Sequence, residues 1–167
     1  MAKQKLDATD KELICELTED GRMPVGQLGE RLEVSAPTVR TRLKALSDAA
    51  VFRVAGLVDA FRTRGITTAL VGIRLDTYQL EEKLSAIADL DQVHWAAVVT
   101  GRYDIMAEVI STDGMAGLHR FLSEKLYKVG GIKSSESFVV MKSKRKWILL
   151  PPGIRKQIQS IDLTVEE

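Results

Sequence analysis

One cysteine, Cys15, and two histidines, His94 and His119, are all the thiol and imidazole metal ligands in this chain of 167 residues. A lone thiol cannot close an internal disulfide, and the two histidines lack the spacing of a metal site, so no metal is expected. Cys15 has no base near it in sequence and reads as a buried structural residue of a helix, in a reducing compartment. His94, in a strand beside Trp95, reads as packing or interface, and His119 as a partly exposed helix residue. Gly72, Gly101, Gly114, Gly117 and Gly130-Gly131 form neither a phosphate-binding loop nor a dinucleotide fingerprint, so no cofactor is expected. The sequence also lacks a basic start leading into an apolar segment and any apolar run long enough to span a bilayer. The expectation is a cytoplasmic protein with no membrane partner and no enzymatic activity.

Net charge is nearly absent as well, at +1, but the bases are unevenly placed. From Ser35 to Arg64 there are six (Arg40, Arg42, Lys44, Arg53, Arg62, Arg64) against the two acids Asp48 and Asp59. From Lys142 to Lys156 there are six bases and no acid. Such segments attract phosphates, or are simply solvated surface. The apolar fraction of 45% is that of an ordinary globular protein, enough for one domain or two small ones.

The first fifty residues predict three short helices. Asp7 suits the cap of the first, with Asp10 and Glu12 at its positive end and Leu13, Ile14 and Leu17 as an apolar stripe. Asp20-Gly21 ends it. Pro24 suits the first position of a second helix, which continues through Val25, Leu28 and Leu32. Ser35 caps a third helix with Pro37 in its first turn, and Val39, Leu43 and Leu46 recur on its inner face. That leaves Ser35, Pro37, Thr38, Arg40, Thr41 and Lys44 directed outward, short hydroxyls beside long cations. A helix with this face fits the roughly 12 Å wide major groove of double-stranded DNA, the arrangement of a helix-turn-helix. A plain three-helix bundle with a solvated basic helix is the alternative. Arg42, beside the inner stripe, suits either a salt bridge to the first helix or DNA.

Val51 to Asp59 is β-prone and reads as a connecting strand, followed by a loop at Arg62-Thr63-Arg64-Gly65. Beyond it the pattern is strand, helix, strand, repeated once. The strands are expected at Ile66–Leu75, Val93–Thr100, Tyr103–Ile110 and Ile132–Met141, and the helices at Gln79–Ala88 and Gly114–Lys128. Two such units fit a ferredoxin-like βαββαβ sheet with both helices on one face. Its other face would still be apolar, and a second copy of the chain is the simplest cover. Pairing also serves the first domain, since two symmetric copies can read half-sites about 34 Å apart. The fold class is thus α+β: an N-terminal (winged) helix-turn-helix domain, 1–50; a connecting strand and linker, 51–65; a ferredoxin-like dimerisation domain, 66–142; and a C-terminal extension, 143–167.

This order of elements resembles the Lrp/AsnC (feast/famine) family of transcriptional regulators. The likeness runs from Leu6 to Lys142. It rests on Leu6-Asp7-Ala8-Thr9-Asp10, Leu17-Thr18-Glu19-Asp20-Gly21-Arg22, the stretch from Val34 to Leu46, Val99-Thr100-Gly101-Arg102-Tyr103-Asp104, and Ile132-Lys133-Ser134-Ser135-Glu136-Ser137. The resemblance implies DNA contacts at Thr38, Arg40 and Thr41, dimers formed through the C-terminal domain, tetramers of dimers, and a small effector such as an amino acid held between dimers. By the same resemblance Gly101, Arg102, Tyr103, Asp104, Ser135 and Ser137 border the effector pocket. Asp104 would meet an ammonium and the backbone N–H groups near Gly101 a carboxylate. A structural reading of that turn stands beside it: Gly101 permits the hairpin, Asp104 caps backbone groups, and Tyr103 packs the dimer.

The chain departs from the family pattern at Ala50, where a glycine is usual, at Ser135 and Ser137, where threonines are commoner, and in its tail. There Trp147-Ile148-Leu149-Leu150 is apolar and Pro151-Pro152-Gly153 reads as a break, with the packing partner either this subunit or a neighbour. Two other functions remain open at this point. One is a sirohaem-decarboxylase-like enzyme of the same fold, which needs His94 and a cation such as Arg102 in one cleft. The other is a ligand-dependent protein-interaction module without DNA binding.

Overall fold

The computed structural model describes residues 6–63, 65–76 and 79–157. Arg64 of the basic loop and residues 158–167 of the C-terminal extension lie outside the described residues. The chain divides into two compact units between Gly56 and Leu57.

The first unit holds helices α1 (Ala8–Glu19), α2 (Val25–Arg31) and α3 (Ala36–Asp48). Asp7 and Asp10 form a reciprocal capping box, each side chain accepting from the other's backbone N–H, at 2.9 and 3.2 Å. Pro24 stands at the N-cap of α2, one place before the helical position expected for it. The core is Leu13, Leu17, Met23, Leu28 and Val39, with Leu43 packed against it. Cys15 is exposed rather than buried. It lies two residues from both Leu13 and Leu17, and about 200° of helical rotation carries it to the far side of α1. Gly29 lets α2 close on the turn that enters α3: a Cβ there would stand 2.7 Å from the Val34 carbonyl oxygen.

α3 ends in a Schellman motif. Ala50 N–H donates to Ser47 O at 2.9 Å and Val51 N–H to Leu46 O at 3.0 Å. The residue that must turn left-handed in this motif is Ala50, with φ +52°. The expected strand from Val51 forms only at its far end, as β1 (Val58–Asp59) of the second unit. Val51, Val54 and Leu57 are exposed, with no described strand beside them to pair with.

The second unit is built on β2 (Thr67–Leu75), α4 (Leu80–Ala88), β3 (Val93–Val98), β4 (Ile105–Ser111), α5 (Gly114–Arg120) and β5 (Ile132–Val139). The sheet is antiparallel in the order β3-β4-β2-β5, which is the ferredoxin-like topology. α5 runs on into a π-helical segment, Phe121–Leu126, where a continuous α-helix is expected. One sheet face is covered by these helices: Val71, Ile73, Ile105, Ala107 and Val109 meet Ile87, Leu118, Phe121 and Leu126. The tail packs on its own chain. β6 (Trp147–Ile148) pairs antiparallel with β1, and α6 (Pro152–Gln157) follows. Pro152 opens this short helix instead of breaking the chain, since the first helical turn needs no N–H from it. Ile148 and Ile154 close a second small core with Ala60 and Ile110.

Candidate nucleic-acid interface and ligand-sensing sheet

Helix α3 is positioned from within. Val39 is fully buried and Leu46 nearly so, which fixes the rotation of the helix about its axis. Ser35 Oγ caps it by accepting from Thr38 N–H at 3.3 Å and lies 2.8 Å from Thr38 Oγ1. Ser35, Pro37, Arg40, Thr41 and Lys44 are exposed, and Thr38 is half-buried. Thr41 donates its hydroxyl to Pro37 O at 3.0 Å, leaving the oxygen lone pairs outward. Lys44 is paired with Asp48 one turn on, so an acid stands at the far end of this basic face. Arg42 turns to the first helix: its Nη1 lies 2.7 Å from Asp7 Oδ2 and 2.8 Å from Asp10 Oδ1. Asp7 is held below the ordinary carboxylate value by the Asp10 backbone N–H and then by Arg42. The guanidinium is correspondingly raised by hydrogen bonds to Asp7 and Asp10. Exposed hydroxyls and a cation on a rigid helix form a surface that can meet base edges and phosphates.

The six residues expected at the effector site fall on two faces of the sheet within the protomer. Tyr103 lies over Gly72, where a Cβ would meet its ring carbons at 2.7 Å. It packs edge-on against Phe138 with ring centroids 6.3 Å apart. Its hydroxyl donates to the Glu136 carboxylate, and that hydrogen bond raises its pKa. Arg102 Nη1 stands 3.7 Å from the same carboxylate. Ser135 and Ser137 are the register partners of Ile73 and Val71, on the helix-covered side. Ser135 there borders a cavity with Leu122, Tyr127 and Gly131. Asp104 is engaged with the backbone: its Oδ2 accepts from Leu75 N–H at 2.8 Å, while its own N–H donates to Ile73 O at 2.9 Å. Gly101 has φ +123°, the conformation that the turn before β4 requires.

The face of the sheet away from the helices carries Trp95 and Phe138, both partly exposed, beside Leu70 and Met106 of the central strands. One buried acid lies among them. Glu108 is 1% exposed, and its Oε2 accepts from His94 Nδ1 at 2.7 Å and Trp95 Nε1 at 2.9 Å. Lys146 Nζ lies 2.7 Å from Oε1 and 2.9 Å from Oε2. Burial opposes the charge of this carboxylate, but the His94 and Lys146 hydrogen bonds outweigh it and its pKa is lowered. His94 is thus occupied by Glu108, and most of β3 stands between it and Arg102, so the pair does not line one cleft.

Two family models match the chain. The one described as the AsnC-type helix-turn-helix domain covers residues 6–47, and the one described as the Lrp/AsnC ligand binding domain covers residues 68–147. The chain belongs to the Lrp/AsnC family.

Among its Lrp/AsnC relatives is an HTH-type transcriptional regulator of Pyrococcus horikoshii, 32% identical over 146 residues, or 87% of this chain and 91% of the relative. The solved structure of Escherichia coli AsnC shares the fold at a TM-score of 0.64 and 22% identity, over 89% of this chain and 100% of that one. A Neisseria meningitidis transcriptional regulator, solved as a complex with L-Met, matches at a TM-score of 0.66 and 24% identity, over 89% and 97%. In Lrp/AsnC terms, the first unit is the DNA-binding helix-turn-helix domain and the second the ligand-binding domain. The residues that sequence reasoning misses are Glu108 and Lys146. The alternation of β4 puts Glu108 on the face away from the helices, and only the fold brings Lys146 across to cover it.

Proposed function

We propose that this Lrp/AsnC chain is a sequence-specific DNA-binding transcriptional regulator that acts as a homo-oligomer and responds to a small effector, an amino acid. The observation that carries the reading is α3: Val39 and Leu46 held inside while Pro37, Arg40, Thr41 and Lys44 stand in solvent. In this reading Ser35, Pro37, Thr38, Arg40, Thr41 and Lys44 meet the major groove, with residues 1–50 as the reading head and 51–65 as the join. Residues 66–142 pair two copies through the open sheet face, where Trp95 and Phe138 are exposed, and such dimers assemble further into a tetramer of dimers. The effector, for which the L-Met complex of the Neisseria relative is the support, binds where Gly101, Arg102, Tyr103, Asp104, Ser135 and Ser137 of adjoining subunits come together. Its binding shifts the assembly or the placement of the reading heads, and so the affinity for DNA.

The occupied state of His94 and its separation from Arg102 favour regulation over sirohaem chemistry. No helix among the described residues is long and apolar enough to cross a membrane, in keeping with work on DNA in the cytoplasm.

The test is selection of bound genomic fragments by purified protein, repeated with Arg40→Ala and Thr41→Ala. Loss of sequence preference in both variants, with the oligomer intact, supports the reading. Equal weak binding of every fragment by the parent protein overturns it. Thermal shifts with the amino acids test the effector, and stabilisation by none of them removes that part.

A further inference from the structure

Three donors converge on Glu108, and they come from two parts of the chain. His94 and Trp95 belong to β3, the neighbouring strand, whereas Lys146 belongs to the C-terminal extension. Immediately after Lys146, Trp147 and Ile148 pair with Asp59 and Val58, almost the first residues after the division at Gly56. The extension is then held down again: Ile148 and Ile154 are buried against Ala60 and Ile110, and Gly153 N–H donates to Asp91 O at 3.2 Å. A Cβ at Gly153 would stand 2.6 Å from that of Asp91, so the contact is close. The extension therefore straps residues 58–61 to the end of the sheet, and the Glu108–Lys146 pair secures the strap where it begins.

We propose that Glu108 and Lys146 are positioning residues for DNA binding, holding the C-terminal extension as a clasp that sets how much free chain joins the reading head to the sheet domain. This rests on the reading of the chain as a regulator that grips DNA with paired helix-turn-helix domains. With the clasp closed, residues 53–57 separate Phe52, which is hydrogen-bonded to the end of α3 and packed on the first core, from the anchored Val58. With it open, the span runs on to the start of β2 at Thr67, from about five residues to about fourteen. The root-mean-square reach of a flexible span grows as the square root of its length, so the tether lengthens about 1.7-fold. The effective concentration of the second head beside its half-site falls as about the −3/2 power of length, by up to roughly fivefold. A single half-site, which needs one head, is indifferent to the tether.

Lys146 is the cleaner handle because it is partly exposed, and the double variant controls for the buried Glu108 carboxylate that its loss leaves without the ammonium. The experiment compares full-length parent, Lys146→Met, Glu108→Gln and the double variant. Each is measured on a duplex with two half-sites at the selected spacing, on duplexes with that spacing changed by a few base pairs, and on a single half-site, together with the oligomeric mass in solution and the rate of tryptic cleavage after Arg62.

Lys146→Met is expected to lose about three- to fivefold in affinity for the paired site and stay within about 1.5-fold on the single site. It should also tolerate altered spacing better and be cut after Arg62 at least tenfold faster. The double variant, with no charge left unpaired, should recover part of each effect. Equal losses on single and paired sites, a loss of the oligomer that accompanies the paired-site effect, or an unchanged cleavage rate overturn the proposal. A parent without DNA preference sinks the regulator reading instead, and the cleavage rates still decide whether the clasp exists.

Discussion

Ala50→Gly should stabilise the helix-turn-helix unit. Ala50 holds the left-handed position of the Schellman motif at the end of α3, at φ +52°, and its side chain is exposed. For a residue with a Cβ that conformation costs about 1–2 kcal/mol, which glycine avoids. Glycine gives back about 0.4–1 kcal/mol through the greater freedom of the unfolded chain. Little packing is lost with an exposed methyl, so the balance is about 0.5–1 kcal/mol in favour of glycine. For a unit of this size that corresponds to a rise in Tm of about 2–8 °C. Calorimetry of the full chain, followed by circular dichroism, reads the shift in the transition of the first unit. Ala49→Gly is the control. Ala49 sits one residue earlier at φ −77°, where glycine gains nothing and should cost about 0.5–1 kcal/mol. Adjacent substitutions of the same kind must therefore move Tm in opposite directions. If both lower it, or if Ala50→Gly leaves it unchanged, the conformational argument is wrong.

Leu28→Ala, at a fully buried position of the first core, should cost about 3–4 kcal/mol. A unit of about fifty residues has only about 2.5–7.5 kcal/mol to lose, so amide exchange should show α1–α3 opening while β2–β5 stay protected. Gly29→Ala puts a Cβ 2.7 Å from the Val34 carbonyl and should disturb the turn into α3, seen as a fall in both Tm and DNA affinity. Glu108 has its pKa lowered below the ordinary 4.5 by His94 and Lys146 against the cost of burial. Its contribution to stability is present above that value and is lost as pH falls through the lower folded one. The stability gap between parent and Glu108→Gln should accordingly be full at neutral pH and close in acid. A gap that widens as pH falls would show the sign to be wrong.

The parts of this fold that are legible in the sequence are those set by local pattern. Ser35 as a cap and the spacing of Val39, Leu43 and Leu46 place α3 and its outward face. The alternation of strand and helix after Thr67 gives the sheet. What is hidden depends on partners distant in sequence. Glu108 looks like an ordinary exposed acid between Ala107 and Val109, and it is buried because Trp95 and Lys146, 13 and 38 residues away, lie over it. Val51 to Leu57 has the composition of a strand, but propensity without a neighbouring strand makes none, and only Val58–Asp59 finds one in Trp147–Ile148. Asp104 offers a carboxylate to any ligand on paper, and in the fold one oxygen is occupied by Leu75 N–H. Angular position alone leaves Arg42 open between two uses, and the capping box of α1 supplies the two carboxylates that decide it.

Each of the three buried clusters draws its members from one side of Gly56. A chimera spliced at that glycine therefore inherits each of these described interiors whole. In the proposed reading the DNA-reading unit and the ligand-binding unit are then exchangeable modules, and a new pairing of the two needs compatible spacing between them.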